Sequence, residues 1–189
     1  MLTKKWENNT WVLTHAGFEF DLSDPQPDMI CLEDIAFSLA QQPRFNGHAK
    51  FHYSVAQHSI LVANLVPDFL KLPALFHDAH EAYIGDLVRP LIGYVEVECP
   101  EFKKVFCSLR AKIDAAVVER FSLMNFGHHL VAAADLQALA TERRDLLPAS
   151  SAWDILEGVK PHAFPIIRQF EKEARYNFLN MYYDLGGTK

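Results

Sequence analysis

The stretch from Leu75 to Tyr83 constrains the fold of this 189-residue chain most, because it sets titratable side chains among apolar ones. It contains no glycine or proline, so its pattern predicts a continuous helix. At about 100° per helical residue, Asp78 shares a face with Ala82, and His77 lies beside it over Glu81. An unpaired carboxylate on a buried face costs several kcal/mol or more, so we expect a partner that compensates Asp78.

The adjacent imidazole of His77 suggests two forms of compensation. A metal ion accepts a histidine nitrogen and an aspartate oxygen together, and it removes the desolvation penalty of Asp78. A buried His–Asp hydrogen bond that only joins helices also fits, and such pairs are common on helices. The dipeptide alone therefore does not establish a metal site.

Two further predicted helices carry a polar residue on a side that should be apolar. The helix predicted over 52–66 has His58 in an otherwise hydrophobic stripe. The helix predicted after residue 130 has Asp135 on its apolar face. Each has an ordinary explanation, because His58 fits a hydrogen-bonded core residue and Asp135 fits an ion pair with an arginine that follows it.

One divalent ion bound by His58, His77, Asp78 and Asp135 accounts for the polar groups on all three faces, whereas the ordinary explanations need several independent hydrogen bonds. Glu81 lies four residues after His77 and three after Asp78. It is therefore placed to take a proton from water beside such an ion without binding the ion. An acid on the helix surface fits the same position.

Two zinc-peptidase motifs do not fit the same stretch. HExxH needs a glutamate directly after the first histidine and a second histidine four residues on, where this chain has Asp78 and Glu81. HxxEH also fails, because His80 precedes Glu81. We therefore do not predict His80 as a ligand, and the roles of His48 and His52 stay open.

Composition bounds the class of protein. Half of the residues are hydrophobic, which fits one domain that buries roughly 70% of its unfolded surface. The chain lacks an apolar run of the ~18 residues that span a bilayer, and the N-terminal residues lack the pattern of a secretory signal. Three cysteines without a CxxC pair favour a reducing, cytoplasmic location. A net charge of −6 argues against a nucleic-acid polymer or an anionic membrane as partner.

The remaining pattern predicts a short two-stranded hairpin over 11–22 and amphipathic helices over 31–42, 101–124 and 164–183. We expect the inward faces of the last two helices to include Phe102, Val105, Ile113, Val117, Phe164, Ile167, Phe170 and Phe178. The whole chain reads as one domain. Residues 1–28 form the hairpin extension, 29–150 the helical core, and 151–189 a C-terminal helix that packs on the core.

The H…HD…D constellation resembles the HD-domain phosphohydrolase superfamily. Four further segments look like the branch related to bacterial 5′-deoxynucleotidases: Ile30–Ala36, Arg44–His48, Phe51–Ser59 and Ala79–Asp86. The resemblance covers about residues 9 to 147. It implies an all-α fold, an HD-domain helical bundle preceded here by the short N-terminal β-hairpin.

The resemblance also implies roles for the site residues. It makes His58, His77, Asp78 and Asp135 the ligands of one divalent metal ion. Manganese, cobalt, iron, zinc, nickel and magnesium all accept such ligands to varying degrees. By motif position, Glu81 matches the water-activating acid, Arg44 the phosphate-contacting arginine and Asp86 a residue at the sugar end. Without the resemblance, Arg44 is also consistent with an ordinary surface residue, and Asp86 with a residue of the turn after the helix.

The function that the resemblance implies is 5′-nucleotidase-like hydrolysis of a small phosphorylated metabolite, a (deoxy)nucleoside monophosphate in the first instance, by a homodimer. The chain differs from these relatives at two positions that bear on the choice of substrate. Ile92 stands where relatives often carry a lysine, and His80 replaces a residue that is usually small. Two alternatives stay open: an HD-type hydrolase of a nucleoside triphosphate or signalling nucleotide, and a non-catalytic protein that binds metal and nucleotide.

Overall fold

A computed structural model describes residues 10–150 and 152–188 of the chain. Residues 1–9 of the predicted extension over 1–28 lie outside these ranges, as do residues 151 and 189. The elements are β1 Trp11–Leu13, β2 Glu19–Asp21, α1 Leu32–Gln41, α2 Val55–Asn64, α3 Lys71–Leu75, α4 Glu81–Ile84, α5 Arg89–Glu98, α6 Pro100–Phe121, α7 His129–Leu146 and α8 Glu171–Asp184. The prediction of a mostly helical fold with a short hairpin is confirmed.

The hairpin is tied to the helices by its turn and by one aromatic side chain. Strands β1 and β2 pair antiparallel, and Gly17 in the turn adopts a φ of 90°, which suits a residue without a side chain. The N–H of Ala16 donates to Oδ1 of Asp34 on α1 at 2.6 Å. Phe20 is fully buried and stacks on Tyr83, with ring centroids 3.8 Å apart. The hairpin therefore covers the end of the bundle that α1 and α4 form.

Helix α2 lies at the centre of the bundle and packs against α1, α3, α7 and α8. It begins where the sequence offers a cap, because Oγ of Ser54 accepts a hydrogen bond from the N–H of Gln57. Its apolar face is fully buried at Val55, Ala56 and Val62. This packing carries His58, on the same helix, into the interior.

The predicted continuous helix over 75–83 is wrong, because α3 ends at Leu75 and α4 begins only at Glu81. In between, N–H groups bond to the carbonyl three residues back, as from Glu81 to Asp78 at 3.0 Å. The imidazole of His77 contributes to the break, since its Nδ1–H donates to the Ala74 carbonyl at 2.8 Å. That carbonyl would otherwise accept the fourth N–H along an α-helix. The tighter turn brings Asp78 and Glu81, three residues apart, onto one side.

The C-terminal helix begins at Glu171, not at Phe164, so that part of the prediction is wrong. Phe164 is 73% exposed, and Ile167 and Phe170 are exposed as well instead of facing the core. The segment is extended because side chains of α7 bind its backbone. Asp145 accepts from the N–H of Ile166 at 2.9 Å, and the neighbouring arginine donates to carbonyls of the same segment.

Helix α6 meets the core only from Leu109 onward. Ile113 and Val117 are buried as predicted, but Phe102 is 44% exposed and Val105 is more exposed still. The first half of α6 pairs with α5, whose residues are all at least partly exposed. The two helices form a hairpin that stands out from the bundle. Across the described ranges, no helix is both long and apolar enough to cross a membrane.

Phe76 provides a test of this packing. It is fully buried among Phe121, Phe178 and Tyr182, with ring centroids 4.5 to 5.8 Å away. We expect Phe76→Ala to lower the free energy of unfolding by about 3–5 kcal/mol, because it removes a large buried side chain and leaves a cavity. The matched control, Phe102→Ala on the protruding hairpin, should cost less than about 1 kcal/mol. Equal losses in urea unfolding would contradict this account of the core.

Candidate metal centre

Four side chains that the sequence suggests as ligands converge between α2, α7 and the turn after α3. His58 Nε2 lies 3.1 Å from Oδ1 of Asp135 and 3.5 Å from Oδ2 of Asp78. His77 Nε2 lies 3.1 Å from the same Asp78 oxygen. The two imidazole rings are 5.2 Å apart between centroids. Residues that are up to 77 positions apart in the sequence thus meet in one place.

The chemistry of these donors fits a metal ion. The Nε2 atoms of His58 and His77 are buried, and neither has a hydrogen-bond partner among the described residues, although a carboxylate oxygen lies 3.1 Å from each. The Nδ1–H of His77 donates to a backbone carbonyl, which leaves its Nε2 as a lone pair. Ligand atoms of His58, His77 and Asp135 all lie within 4.8 Å of one another. Two imidazole lone pairs facing carboxylates form a donor set for a divalent cation, and these groups can hold one.

Glu142 is a buried part of this site that the sequence analysis did not assign. Its side chain is 0% exposed, with Oε1 2.6 Å from Nδ1 of His58 and Oε2 2.9 Å from Nη2 of Arg44. Burial opposes its charge, but Arg44 and His58 outweigh burial and lower its pKa to about 2. An ionised carboxylate only accepts hydrogen bonds, so it keeps the proton of His58 on Nδ1 and frees Nε2 for a cation. The available signal was its position seven residues, or two helical turns, after Asp135.

Arg44 lies beside the centre but is already engaged. Its side chain is mostly buried and pairs with Glu142, and its backbone N–H donates to the carbonyl of Tyr53 at 2.9 Å. The chain turns sharply after it, with positive φ at Phe45 and Asn46. The charges of Glu142 and Asp78 hold the pKa of Arg44 above its ordinary value despite burial. The guanidinium is therefore a fixed positive charge at the edge of the carboxylate cluster.

Glu81 and Asp86 lie on the same side of the turn as Asp78. Oε2 of Glu81 is buried without a hydrogen-bond partner in the part of the chain that the structure describes. Burial and the neighbouring carboxylates of Asp78 and Asp86 raise the pKa of Glu81 to about 9. Burial also raises the pKa of Asp86, whose backbone N–H donates to Oε1 of Gln42 at 3.0 Å. Both acids thus lie near other carboxylates, and a bound cation would reduce the electrostatic repulsion among them.

In the ion-free protein, the imidazole of His58 carries a proton that compensates the neighbouring carboxylates. Burial and Arg44 oppose a charge on His58, but Glu142 and Asp135 outweigh them and raise its pKa to about 10. Burial raises the pKa of Asp135, and the adjacent His58 overcomes that effect and lowers it to about 2. A divalent cation bound by these groups would take over the compensating charge of that proton.

The structure also shows where four other residues named in the sequence analysis lie. His48 is exposed, and His52 directs Nε2 to the Ala40 carbonyl at 3.2 Å, outside the cluster. Ile92, where a lysine was expected by resemblance, is half-buried on α5. His80 is buried next to Asp114 on α6, with Nδ1 3.1 Å from Oδ1.

Glu142 gives a prediction for metal affinity. We expect Glu142→Ala and Glu142→Gln to weaken binding of Mn²⁺ about 10–100-fold, because His58 loses the carboxylate that orients it. Titration calorimetry on chelator-treated protein measures this, with Glu119→Ala, an exposed acid on α6, as the matched control. Unchanged affinity in folded Glu142 variants would show that the pairing is only structural.

Glu81 gives a prediction for stability against pH. Its pKa of about 9 in the ion-free native state lies above the ordinary value of 4.5, so stability falls as pH rises from about 4.5 to about 9. Glutamine needs no proton there. We expect Glu81→Gln in chelator to raise the unfolding temperature at pH 8 by about 2 °C or more, roughly 1 kcal/mol, with a smaller gain at pH 4.5. Glu119→Gln should show no such gain, and an equal gain at both pH values would refute this account.

Comparison with known proteins identifies relatives of this chain, but the names of those relatives give no activity. No protein-family model matches the chain. It is 39% identical over 102 residues to an uncharacterized protein of Rhodobacter capsulatus, an alignment that covers 47% of this chain and 52% of the relative. It is 38% identical over 178 residues to the uncharacterized protein YfdR of Escherichia coli, covering 93% of this chain and 96% of the relative. The chain therefore belongs to the same family as YfdR of Escherichia coli.

Proposed function

We propose that this protein is a metal-dependent phosphohydrolase of the HD-domain type that releases phosphate from a (deoxy)nucleoside monophosphate. The observation that carries the proposal is the pair of buried Nε2 atoms of His58 and His77, which face Asp78 and Asp135 without hydrogen-bond partners among the described residues. The H…HD…D spacing in the sequence supports the same assignment.

In this proposal His58, His77, Asp78 and Asp135 hold one divalent ion. Manganese, cobalt, iron, zinc, nickel and magnesium remain the candidates, since two imidazoles and two carboxylates suit them to different degrees. Such an ion, when bound, lowers the pKa of water from about 15.7 towards about 7 and withdraws electron density from a phosphoryl oxygen.

Glu81 accepts the proton of the attacking water. It lies three residues from Asp78, and its buried Oε2 has no competing donor within the described chain. The pKa of Glu81 is about 9 in the ion-free site, and a cation held by His58, His77, Asp78 and Asp135 would lower it by offsetting the surrounding carboxylates, so that Glu81 would serve as a base near neutral pH. The new bond joins the water oxygen to phosphorus while the bond from phosphorus to the nucleoside oxygen breaks. The proton taken by Glu81 is then available to the departing alkoxide.

Arg44 supplies the second positive charge that the phosphoryl group needs. Glu142 engages Nη2 of Arg44, and the guanidinium has five N–H donors, so donors remain for phosphate oxygens. Glu142 also binds His58, so one carboxylate fixes both the cation ligand and the arginine. Positioned charge of this kind is the main catalytic requirement in phosphoryl transfer.

The substrate class follows from the resemblance to 5′-deoxynucleotidases. Asp86 offers a carboxylate to sugar hydroxyl groups in this proposal. Ile92 stands where those relatives often carry a lysine, so Arg44 is the cationic side chain that the proposal assigns to the phosphate group.

The direct test is phosphate release from a panel of nucleoside mono-, di- and triphosphates. The protein is treated with chelator, reloaded separately with each of the six candidate ions, and assayed for phosphate, pyrophosphate and triphosphate. We expect phosphate from monophosphates, and only after reloading. Pyrophosphate or triphosphate as product would instead identify a nucleoside triphosphate hydrolase. Bound ion without turnover on any substrate would identify a non-catalytic binding protein.

Glu81→Ala separates catalysis from ion binding. We expect turnover to fall about 10²–10⁴-fold, the usual contribution of a general base. Ion content after one added equivalent should stay near that of the wild type, because Glu81 is not among the four ligands of this ion. His58→Ala should lose both turnover and ion, and Glu119→Ala should lose neither. Full activity in Glu81→Ala would remove Glu81 from the mechanism.

A further inference from the structure

His80 is a buried titratable residue that the proposed function leaves without a role. It is 3% exposed and follows Asp78 by two positions in the tight turn between α3 and α4. Nδ1 of His80 lies 3.1 Å from Oδ1 of Asp114 on α6, yet the two atoms are not aligned for a hydrogen bond. Both atoms are buried and unpartnered as far as the described chain extends.

The surroundings of His80 are rich in ligand atoms. Donor atoms of Asp78, His80 and Glu81 all lie within 4.8 Å of one another. The three-residue repeat of the turn is what brings Asp78 and Glu81 together. The guanidinium of Arg110 reaches only the outer oxygen of Asp114, at 3.6 Å. Oε2 of Glu81 and Oδ1 of Asp114 are also buried without a hydrogen-bond partner in the described chain, and an unpartnered buried polar group is costly.

We propose that Asp78, His80 and Glu81 form a second site for a divalent transition-metal ion, next to the first centre and sharing Asp78 with it. Asp114 on α6, with Oδ1 3.1 Å from Nδ1 of His80, would orient this imidazole once the two groups align, as carboxylates commonly do for histidine ligands. One nitrogen and carboxylate oxygens suit Mn²⁺, Co²⁺ or Zn²⁺. The second site has one imidazole fewer than the first and shares a carboxylate with it, so it fills after the first.

Occupation of this site has a consequence for activity that rests on the proposed function. Glu81 cannot coordinate a cation and accept the proton of water with the same lone pairs. The second ion therefore inhibits hydrolysis. Activity should rise with the first equivalent of ion and fall as the second equivalent binds, which makes the site a sensor of excess transition metal.

Counting ions tests the site independently of activity. Chelator-treated wild-type protein is titrated with Mn²⁺ by calorimetry and electron paramagnetic resonance. We expect two ions per chain, with spin–spin coupling between them because they share Asp78. Saturation at one ion per chain, or two ions without coupling, would overturn the proposal.

Variants then assign the second ion to its ligands. His80→Ala should bind one Mn²⁺, uncoupled, and should lose the inhibitory phase at high ion concentration. Asp114→Asn should weaken the second ion about 10–100-fold and leave the first unchanged. His52→Ala, a partly buried histidine outside both clusters, should retain two coupled ions. Two coupled ions in folded His80→Ala would refute the assignment.

The outcomes separate this inference from the proposed function. Two coupled ions in a protein that hydrolyses no substrate of the panel would support the site and refute the phosphohydrolase. Hydrolysis that depends on a single ion, with no second ion at saturation, would do the reverse.

Discussion

The site depends on one buried carboxylate that joins two chemically different groups. Glu142 is fully buried and binds the imidazole of His58 with one oxygen and the guanidinium of Arg44 with the other. A carboxylate in that position is tolerated only because both oxygens are paired with donors that can carry positive charge. The same pairing determines which nitrogen of His58 has a free lone pair. The contacts that allow the charge of Glu142 to be buried are therefore the same contacts that orient His58.

The turn between α3 and α4 shows a similar link between local backbone and site chemistry. The bond from His77 Nδ1 to the Ala74 carbonyl competes with the α-helical ladder, and the backbone tightens to three residues per turn. This places His77, Asp78, His80 and Glu81 within a short span of chain that is partly or fully buried. Such a concentration of acids raises the pKa of Glu81 and costs stability in the ion-free protein. Cations bound there would convert that cost into binding free energy.

Amphipathic patterning is a weaker guide at the edges of the bundle. The apolar positions of α6 are periodic along its whole length, yet the core covers only its second half. Apolar residues of the segment before α8 remain exposed for a different reason, since Arg144 and Asp145 bind the backbone there and hold it extended. Periodicity reports which side of a helix is apolar, but it does not report whether a neighbour is available to cover that side.

The sequence by itself determined the helical class, the hairpin, the position of α2 and four polar residues on faces that should be apolar. These features depend on local rules: residue spacing, caps and the cost of an unpaired buried charge. Tertiary structure alone decided that Nε2 of His58 lies 3.1 Å from Asp135 and 3.5 Å from Asp78, and that Glu142 and Asp114 lie against His58 and His80 from other helices. It also decided that the helix at His77 breaks. Contacts between residues far apart in the chain depend on how helices cross, and no local pattern encodes that crossing.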